Sequence, residues 1–245
     1  SLSRRAWRDR RGRDMAMIFQ EPMTSLNPVM RIGTQIEEVL VRRRRLSPPE
    51  ARRRAIQLLE RVEMSSPAER LKAYPHELSG GMRQRVMIAI ALAADARLLI
   101  ADEPTTALDV TIQAQILDLL RDLQRETGMA LLLITHDLGV IAEMAHRVMV
   151  LYAGRVAEIA GVDTIFDAPR HPYTRALLAS IPAADHRRDR LATIEGSVPP
   201  VGAMPAGCRF APRCPLARAV CTAAPPVPRP LAGDHVVACL EPFGY

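Results

Sequence analysis

Two adjacent carboxylates, Asp102 and Glu103, end the apolar run Leu98-Leu99-Ile100-Ala101. Ligands of open α/β sheets bind at the C-terminal ends of the strands, so a carboxylate pair placed there suits a metal and a base. Asp102 would hold Mg²⁺, directly or through water, and Glu103 would orient and polarise the water that attacks a γ-phosphate. Leu78-Ser79-Gly80-Gly81-Met82-Arg83-Gln84-Arg85 sets a hydroxyl and two bare backbone N–H groups at the start of a helix. Free N–H groups and the helix dipole both favour an anion at such a terminus. Thr135-His136-Asp137 follows the apolar run Met129–Ile134, and all four cysteines, Cys208, Cys214, Cys221 and Cys239, fall in the last stretch of the chain. Each feature alone has a plainer reading: a strand running into a turn, an N-cap with a glycine turn, a surface histidine. Their order along the chain is far more specific than any one of them.

The elements that must position these residues follow from periodicity. Ser47 is an N-cap with Pro48 at the first helical position and Glu50 at the capping-box position, and Ala55, Leu58, Leu59 and Val62 repeat at helical spacing. A second helix starts at Gly80-Gly81 and runs to about Asp95, before the strand Leu98–Ala101. Thr111–Thr127 reads as a helix stopped by Gly128, and Met129–Thr135 as the next strand, which makes a parallel βαβ unit. Val148–Ile159, broken at Ala153-Gly154, reads as a hairpin that closes the domain. Ten of the twenty prolines lie from Pro199 onward, where little regular structure is expected.

Composition agrees with an α/β class. Hydrophobic residues make up 48% and aromatics 4%, so the core must be aliphatic, as suits a parallel sheet under helices. The longest apolar runs fall far short of the roughly 20 residues of a membrane-spanning helix. The net charge of +6 concentrates attention on Arg42–Arg45 and Arg52–Arg54. No aromatics interleave these two clusters, so they read as a solvated helix face rather than a nucleic-acid surface, with lipid headgroups left open.

Taken together, the motifs resemble an ABC transporter ATP-binding subunit from its glutamine loop onward. Ile18-Phe19-Gln20-Glu21-Pro22 is similar to the glutamine loop, Leu78–Met82 to the signature, and Leu99–Pro104 to the Walker B strand. Ala107-Leu108-Asp109 is similar to the D-loop and His136 to the switch histidine. Met23-Thr24-Ser25-Leu26-Asn27-Pro28, Tyr74-Pro75-His76-Glu77, His171-Pro172-Tyr173-Thr174 and the cysteine tail resemble the oligopeptide and dipeptide importers, a pattern largely shared by nickel and glutathione importers. The resemblance implies an ABC-type P-loop ATPase domain over residues 1–162, with a helical subdomain over about 28–95, and a C-terminal extension over 163–245. It implies ATP and Mg²⁺, with Glu103, His136 and Gln20 in catalysis. Gln20 and Asp102 would serve Mg²⁺, and His136 would stabilise charge on the γ-phosphate. Ser79, Gly80, Gly81, Gln84 and Asp109 would contact nucleotide.

One element of the family pattern does not occur in these residues. A Walker A loop needs Gly-x-x-x-x-Gly-Lys-Ser/Thr, and the only lysine, Lys72, has no such motif before it. The expectation is an N-terminally truncated subunit, inactive alone, that powers import of peptides or a related solute. Its partners would be membrane-embedded permease subunits, a second ATPase subunit in a head-to-tail dimer and an extracytoplasmic solute-binding protein, with no nucleic acid. It would sit on the cytoplasmic face of the membrane. A soluble ABC ATPase acting on nucleic acid or the ribosome is the alternative, against which stands the short interval between Gln20 and Ser79. Gly207–Cys214 resembles the importer tail in which four cysteines hold a 4Fe–4S cluster. Zinc or unligated thiols remain open, because the spacing fixes no metal.

Overall fold

The computed structural model describes residues 3–106, 108–181 and 193–243, apart from the side chains of Pro22 and Met23. Ala107 of the D-loop motif therefore lies outside the described residues, as do the Pro22 and Met23 side chains of the glutamine-loop and importer motifs. The chain divides into two compact units, residues 1–138 and 139–245.

The first unit opens with helix α1 (Arg4–Arg10), then strand β1 (Met15–Ile18) and helix α2 (Pro22–Ser25). Helices α3 (Ile32–Arg44), α4 (Pro48–Arg61), α5 (Pro67–Arg70) and α6 (Gly80–Ala93) precede β2 (Leu98–Asp102), α7 (Val110–Thr127) and β3 (Ala130–Ile134). The strands form a parallel sheet in the order β1-β2-β3, with Ile18 beside Ala101 and Asp102 beside Ile134. The expected βαβ unit is therefore present, with α7 as its crossover. Both ends of α7 have local causes: Asp109 accepts from Ile112 N at 2.9 Å, and Gly128 closes the helix at φ 66° in the left-handed region. Helix α4 carries the Ser47/Glu50 capping box and buries Ala51, Ala55, Leu58 and Leu59 against α3 and α6. One sheet face is buried through Ile18, Leu99 and Ala101, whereas Met17, Leu132 and Ile134 on the other are 38%, 50% and 45% exposed. No helix among the described residues is long and apolar enough to cross a membrane.

The second unit contains nearly all of helix α8 (Leu138–Met144), then the hairpin β4 (Arg147–Tyr152) and β5 (Arg155–Gly161). Ala153 and Gly154, both at positive φ, make its two-residue turn. Helices α9 (Val162–Asp167), α10 (Pro172–Ala179) and α11 (Ala219–Ala223) and the short strands β6 (Arg229–Pro230) and β7 (Val236–Val237) complete it. The antiparallel order β4-β5-β7-β6 places the hairpin in a sheet with the tail. The second compact unit thus includes the hairpin, and β5 pairs with β7 through Glu158–Val237 and Ile159–Val236.

A buried carboxylate fastens this unit. Glu158, fully buried on β5, accepts from Arg170 N (2.6 Å) and His235 Nε2 (2.7 Å) on one oxygen and from His171 N (3.0 Å) on the other. Ala238 N donates to Ala157 O at 2.8 Å, and Arg170 and Phe243 exchange hydrogen bonds of 2.7 and 3.0 Å. The start of α10 and the tail are thus both held to β5.

Candidate active site

Glu103 is the residue on which the first unit's chemistry converges. It leaves β2 at φ 45°, a left-handed conformation costly for a non-glycine residue, and its N–H donates to Ile134 O at 2.8 Å. That bond extends the β2–β3 ladder beyond Asp102 and turns the carboxylate toward three partners from separate segments. Gln20 Nε2 donates to Oε2 at 2.7 Å, Thr106 Oγ1 donates to the same oxygen at 2.9 Å, and His136 Nδ1 lies 3.1 Å from Oε1. Thr106 and His136, with a smaller contribution from Gln20, hold the Glu103 carboxyl below its usual range against the opposing effect of desolvation. The carboxylate is kept ionised, as a base must be.

The loop carrying His136 is braced from α7: Gln113 Nε2 donates to Asp137 Oδ2 at 3.3 Å, and Asp137 N to Thr135 Oγ1 at 3.0 Å. His136 itself remains 77% exposed, free to reach a ligand above the strand ends. Asp102 closes β2 beside Ile134, one residue before Glu103.

Ser79 caps α6, its Oγ accepting from Met82 N at 3.3 Å. Space accounts for Gly81, where a Cβ would stand 2.8 Å from Ile112 Cγ2, whereas one on Gly80 would meet Leu108 Cδ2 at an ordinary 3.6 Å. The start of α6 therefore packs directly on Leu108 and on the helix headed by Asp109. Asp109 spends its side chain on capping α7. Gln84 is 1% exposed, with Nε2 buried, and at five residues from Ser79 it lies on a different side of α6.

The segments Met23–Pro28 and Tyr74–Glu77 belong to one surface. Ile32 N donates to Ala73 O and Gly33 N to Leu71 O, both at 2.9 Å, and Arg31 lies over the Tyr74 ring at 5.8 Å. Gln35 accepts from Asn27 N at 2.9 Å and donates to Asn27 O and Met30 O at 3.0 Å. Arg83 of the signature helix reaches Pro75 O at 3.4 Å, so this surface is tied to α6. Thr106 was missed by sequence reasoning, although its spacing of three residues from Glu103 was a usable signal.

In the second unit the four cysteines do converge, lining one cavity with His171, Phe210 and Leu240. Cys208 N donates to Cys221 O at 2.8 Å, and a Cβ on Gly207 would fall 2.3 Å from that oxygen, so only glycine fits. Burial pushes the Cys214 thiol up and Cys239 to about 11, with neighbouring thiols adding to both. The cavity of about 20 Å³ has room for about one water. Among the described residues no group of three or more His, Cys, Asp or Glu side chains is disposed to hold a metal ion. The donor set suits an iron–sulfur cluster, but the side chains are not disposed to hold one here, and the cluster expectation is not supported.

Comparison with known proteins agrees with the motif order. The ABC transporter family matches residues 2–106, and the family described as oligopeptide/dipeptide transporter, C-terminal region, matches residues 157–221. The oligopeptide transport ATP-binding protein AppD of Bacillus subtilis is 59% identical over 211 residues, covering 86% of this chain and 64% of AppD. The dipeptide transport ATP-binding protein DppD of the same organism is 49% identical over 238 residues, covering 97% and 71%. A putative peptide import ATP-binding protein of Brucella abortus is 54% identical, covering 94% and 69%. Across these three, the chain spans 64–71% of the relative's length. Among solved structures, the ATP-binding cassette MJ0796, a dimer in a post-hydrolysis state bound to ADP and Pi, matches at TM-score 0.59 and 30% identity. That match covers 66% of this chain and 68% of the other.

Proposed function

The chain belongs to the ABC transporter ATP-binding proteins, in the oligopeptide/dipeptide branch, and on that premise we propose that it is the ATP-hydrolysing subunit of a peptide importer. The observation that carries the proposal is the convergence of Gln20, Thr106 and His136 on an ionised Glu103 at the end of β2. Glu103 accepts the proton of the water attacking the γ-phosphate. Gln20 and Thr106 hold the acceptor oxygen in place, and His136 swings from Glu103 to the γ-phosphate as the site closes. Asp102 serves Mg²⁺ of the substrate MgATP. Ser79 with the N–H groups at Gly80 and Gly81 receives the nucleotide of a second ATPase subunit, an arrangement favoured by the dimeric cassette it resembles. The chain works at the cytoplasmic face of the membrane, docked to permease subunits supplied with solute by a binding protein.

Peptide is the favoured solute because the relatives are named for peptide, oligopeptide and dipeptide transport. The joined surface of Met23–Pro28 and Tyr74–Glu77 docks a cytoplasmic helix of the permease, and its bond to α6 through Arg83 couples that contact to the signature. Cysteine cross-linking from positions 26 and 76 in membranes holding the whole complex tests this, with permease adducts expected. Adducts only to soluble proteins or nucleic acid would defeat the transporter reading. The 245 residues without a Walker A loop hydrolyse ATP negligibly, since no N–H cradle and lysine offset the phosphate charge.

A second reading concerns Cys208, Cys214, Cys221 and Cys239. Their convergence favours a 4Fe–4S cluster, while the disposition of the side chains opposes it. Anaerobic purification with iron, sulfide and zinc analysis decides, and a protein free of all three retires the reading.

A further inference from the structure

The arginines at residues 4–13 and those at Arg42–Arg45 are far apart in sequence but adjacent in the fold. The Arg43 guanidinium lies against Gly12: a Cβ there would stand 3.2 Å from its Nε and 3.5 Å from its Cζ. Arg11 and Arg13 flank that glycine, so the end of α3 and the segment from α1 to β1 make one surface. The two segments together hold ten arginines. Four carboxylates lie among or against them: Asp9, Asp14, Glu38 and Asp95. The excess of six positive charges equals the formal net charge of the entire chain, so the rest of the molecule is neutral in sum. Asp14 pairs with Arg10 and Arg13, Glu38 with Arg42, and Asp95 with Arg44. Among the described residues no carboxylate lies within ion-pair distance of the remaining six, Arg43 and Arg45 included.

Helix α1 adds an independent observation. It is seven residues long and buries no side chain, and a helix so short is not stable in water by its own hydrogen bonds. Arg4, Trp7, Arg8 and Arg11 follow the i, i+3, i+4, i+7 spacing that lines one helix face. Trp7, 41% exposed, is the only tryptophan in the chain and stands among these arginines. Tryptophan is favoured where one end of a ring is apolar and the other wet, and arginine bears its charge on an apolar stem that can lie along the same boundary.

We propose that this surface binds the anionic phospholipid face of a membrane, with α1 lying on the headgroups and Arg42–Arg45 facing their phosphates. A cluster of this size matches what anionic lipid recognition uses, and the guanidinium fork suits phosphate oxygens. A single aromatic suits an interfacial anchor better than single-stranded nucleic acid, which takes an aromatic for successive bases. The proposal rests on the transporter reading only in supposing that a membrane is near, and vesicles test it without any permease or nucleotide.

The test is sedimentation of the 245-residue chain with vesicles of phosphatidylglycerol and phosphatidylcholine, with Trp7 emission as a second readout. Binding is expected to the mixed vesicles and not to pure phosphatidylcholine, to weaken as salt rises, and to shift Trp7 emission to the blue. Each arginine near an anionic surface contributes about fivefold, so Arg4→Gln, Arg8→Gln and Arg11→Gln together should lower partitioning about a hundredfold. Circular dichroism checks that these exposed substitutions leave the fold intact, and Arg229→Gln in the second unit should leave partitioning unchanged. No binding, equal binding to neutral vesicles, or a triple variant that partitions like the parent would overturn the proposal. Tighter binding to an RNA oligonucleotide than to the anionic vesicles would reassign the surface to nucleic acid.

Discussion

Glu158→Gln should loosen the second unit by about 2–4 kcal/mol, and the geometry says why. One carboxylate oxygen accepts from Arg170 N and His235 Nε2, the other from His171 N. A glutamine keeps the shape but replaces one acceptor with an NH₂ group. In either amide orientation that group confronts a backbone N–H inside a fully buried site. One buried donor left without a partner costs roughly 1–3 kcal/mol, and losing the charge from the other bonds adds about 1 kcal/mol. The cysteine cavity supplies the assay, because its walls include His171 and Pro172 at the start of α10 and Cys239 and Leu240 of the tail. Labelling of the buried Cys221 under native conditions follows opening of those walls. Its rate should rise roughly 30- to 1,000-fold in the variant, each 1.4 kcal/mol being about tenfold. Arg155→Gln, an exposed change on the same strand, should leave the rate alone. A Cys221 labelling rate in the folded Glu158→Gln chain indistinguishable from the parent would refute the fastening role.

Other expectations follow from the two titrating sites. Thr106 is the largest contributor holding the Glu103 carboxyl low, so Thr106→Val should raise it. A base works only when ionised, and activity falls as pH drops through its pKa. The acid limb of the pH–rate profile of a complete subunit should therefore move to higher pH, and an unmoved limb would remove Thr106 from the account. Burial lowers His171 from 6.5 to about 4, and the neutral ring accepts from Tyr173 N. The unfolded chain then binds the extra proton first. This contribution to stability is whole above pH 6.5 and lost as pH falls from 6.5 toward 4, by about 3 kcal/mol in all. Urea unfolding of the second unit across that window should show the loss, and His171→Gln should flatten it.

Much of the first unit was legible because its signals are local. The capping box at Ser47 and Glu50, the glycine stop at Gly128 and the apolar strands each carry their cause within a few residues, and each element formed where it was expected. Glu103 and His136 could be named because an apolar strand delivers each of them to the same sheet edge. What sequence could not give was contact across distance. The bond from Gln20 to Glu103 spans 83 residues, and the meeting of Arg43 with Gly12 depends on the path of α3. The burial of Gln84 was not legible because a motif written as a string ignores the turn of the helix beneath it. The hairpin was legible, but its pairing with the tail was not, since only two residues of tail strand, Val236–Val237, decide that partner.

The central claim is that Glu103 is the base of an ATPase. It is tested most directly by joining this chain to a Walker A segment from a relative, assembling it with its permease, and comparing the parent with Glu103→Gln. A glutamine with its amide oxygen in the place of Oε2 keeps the bonds from both Gln20 and Thr106 but cannot take a proton, so turnover should fall by about 10²–10⁴-fold while ATP binding stays nearly unchanged. Turnover close to the parent's, with ATP bound equally well, would contradict the account and place the base elsewhere.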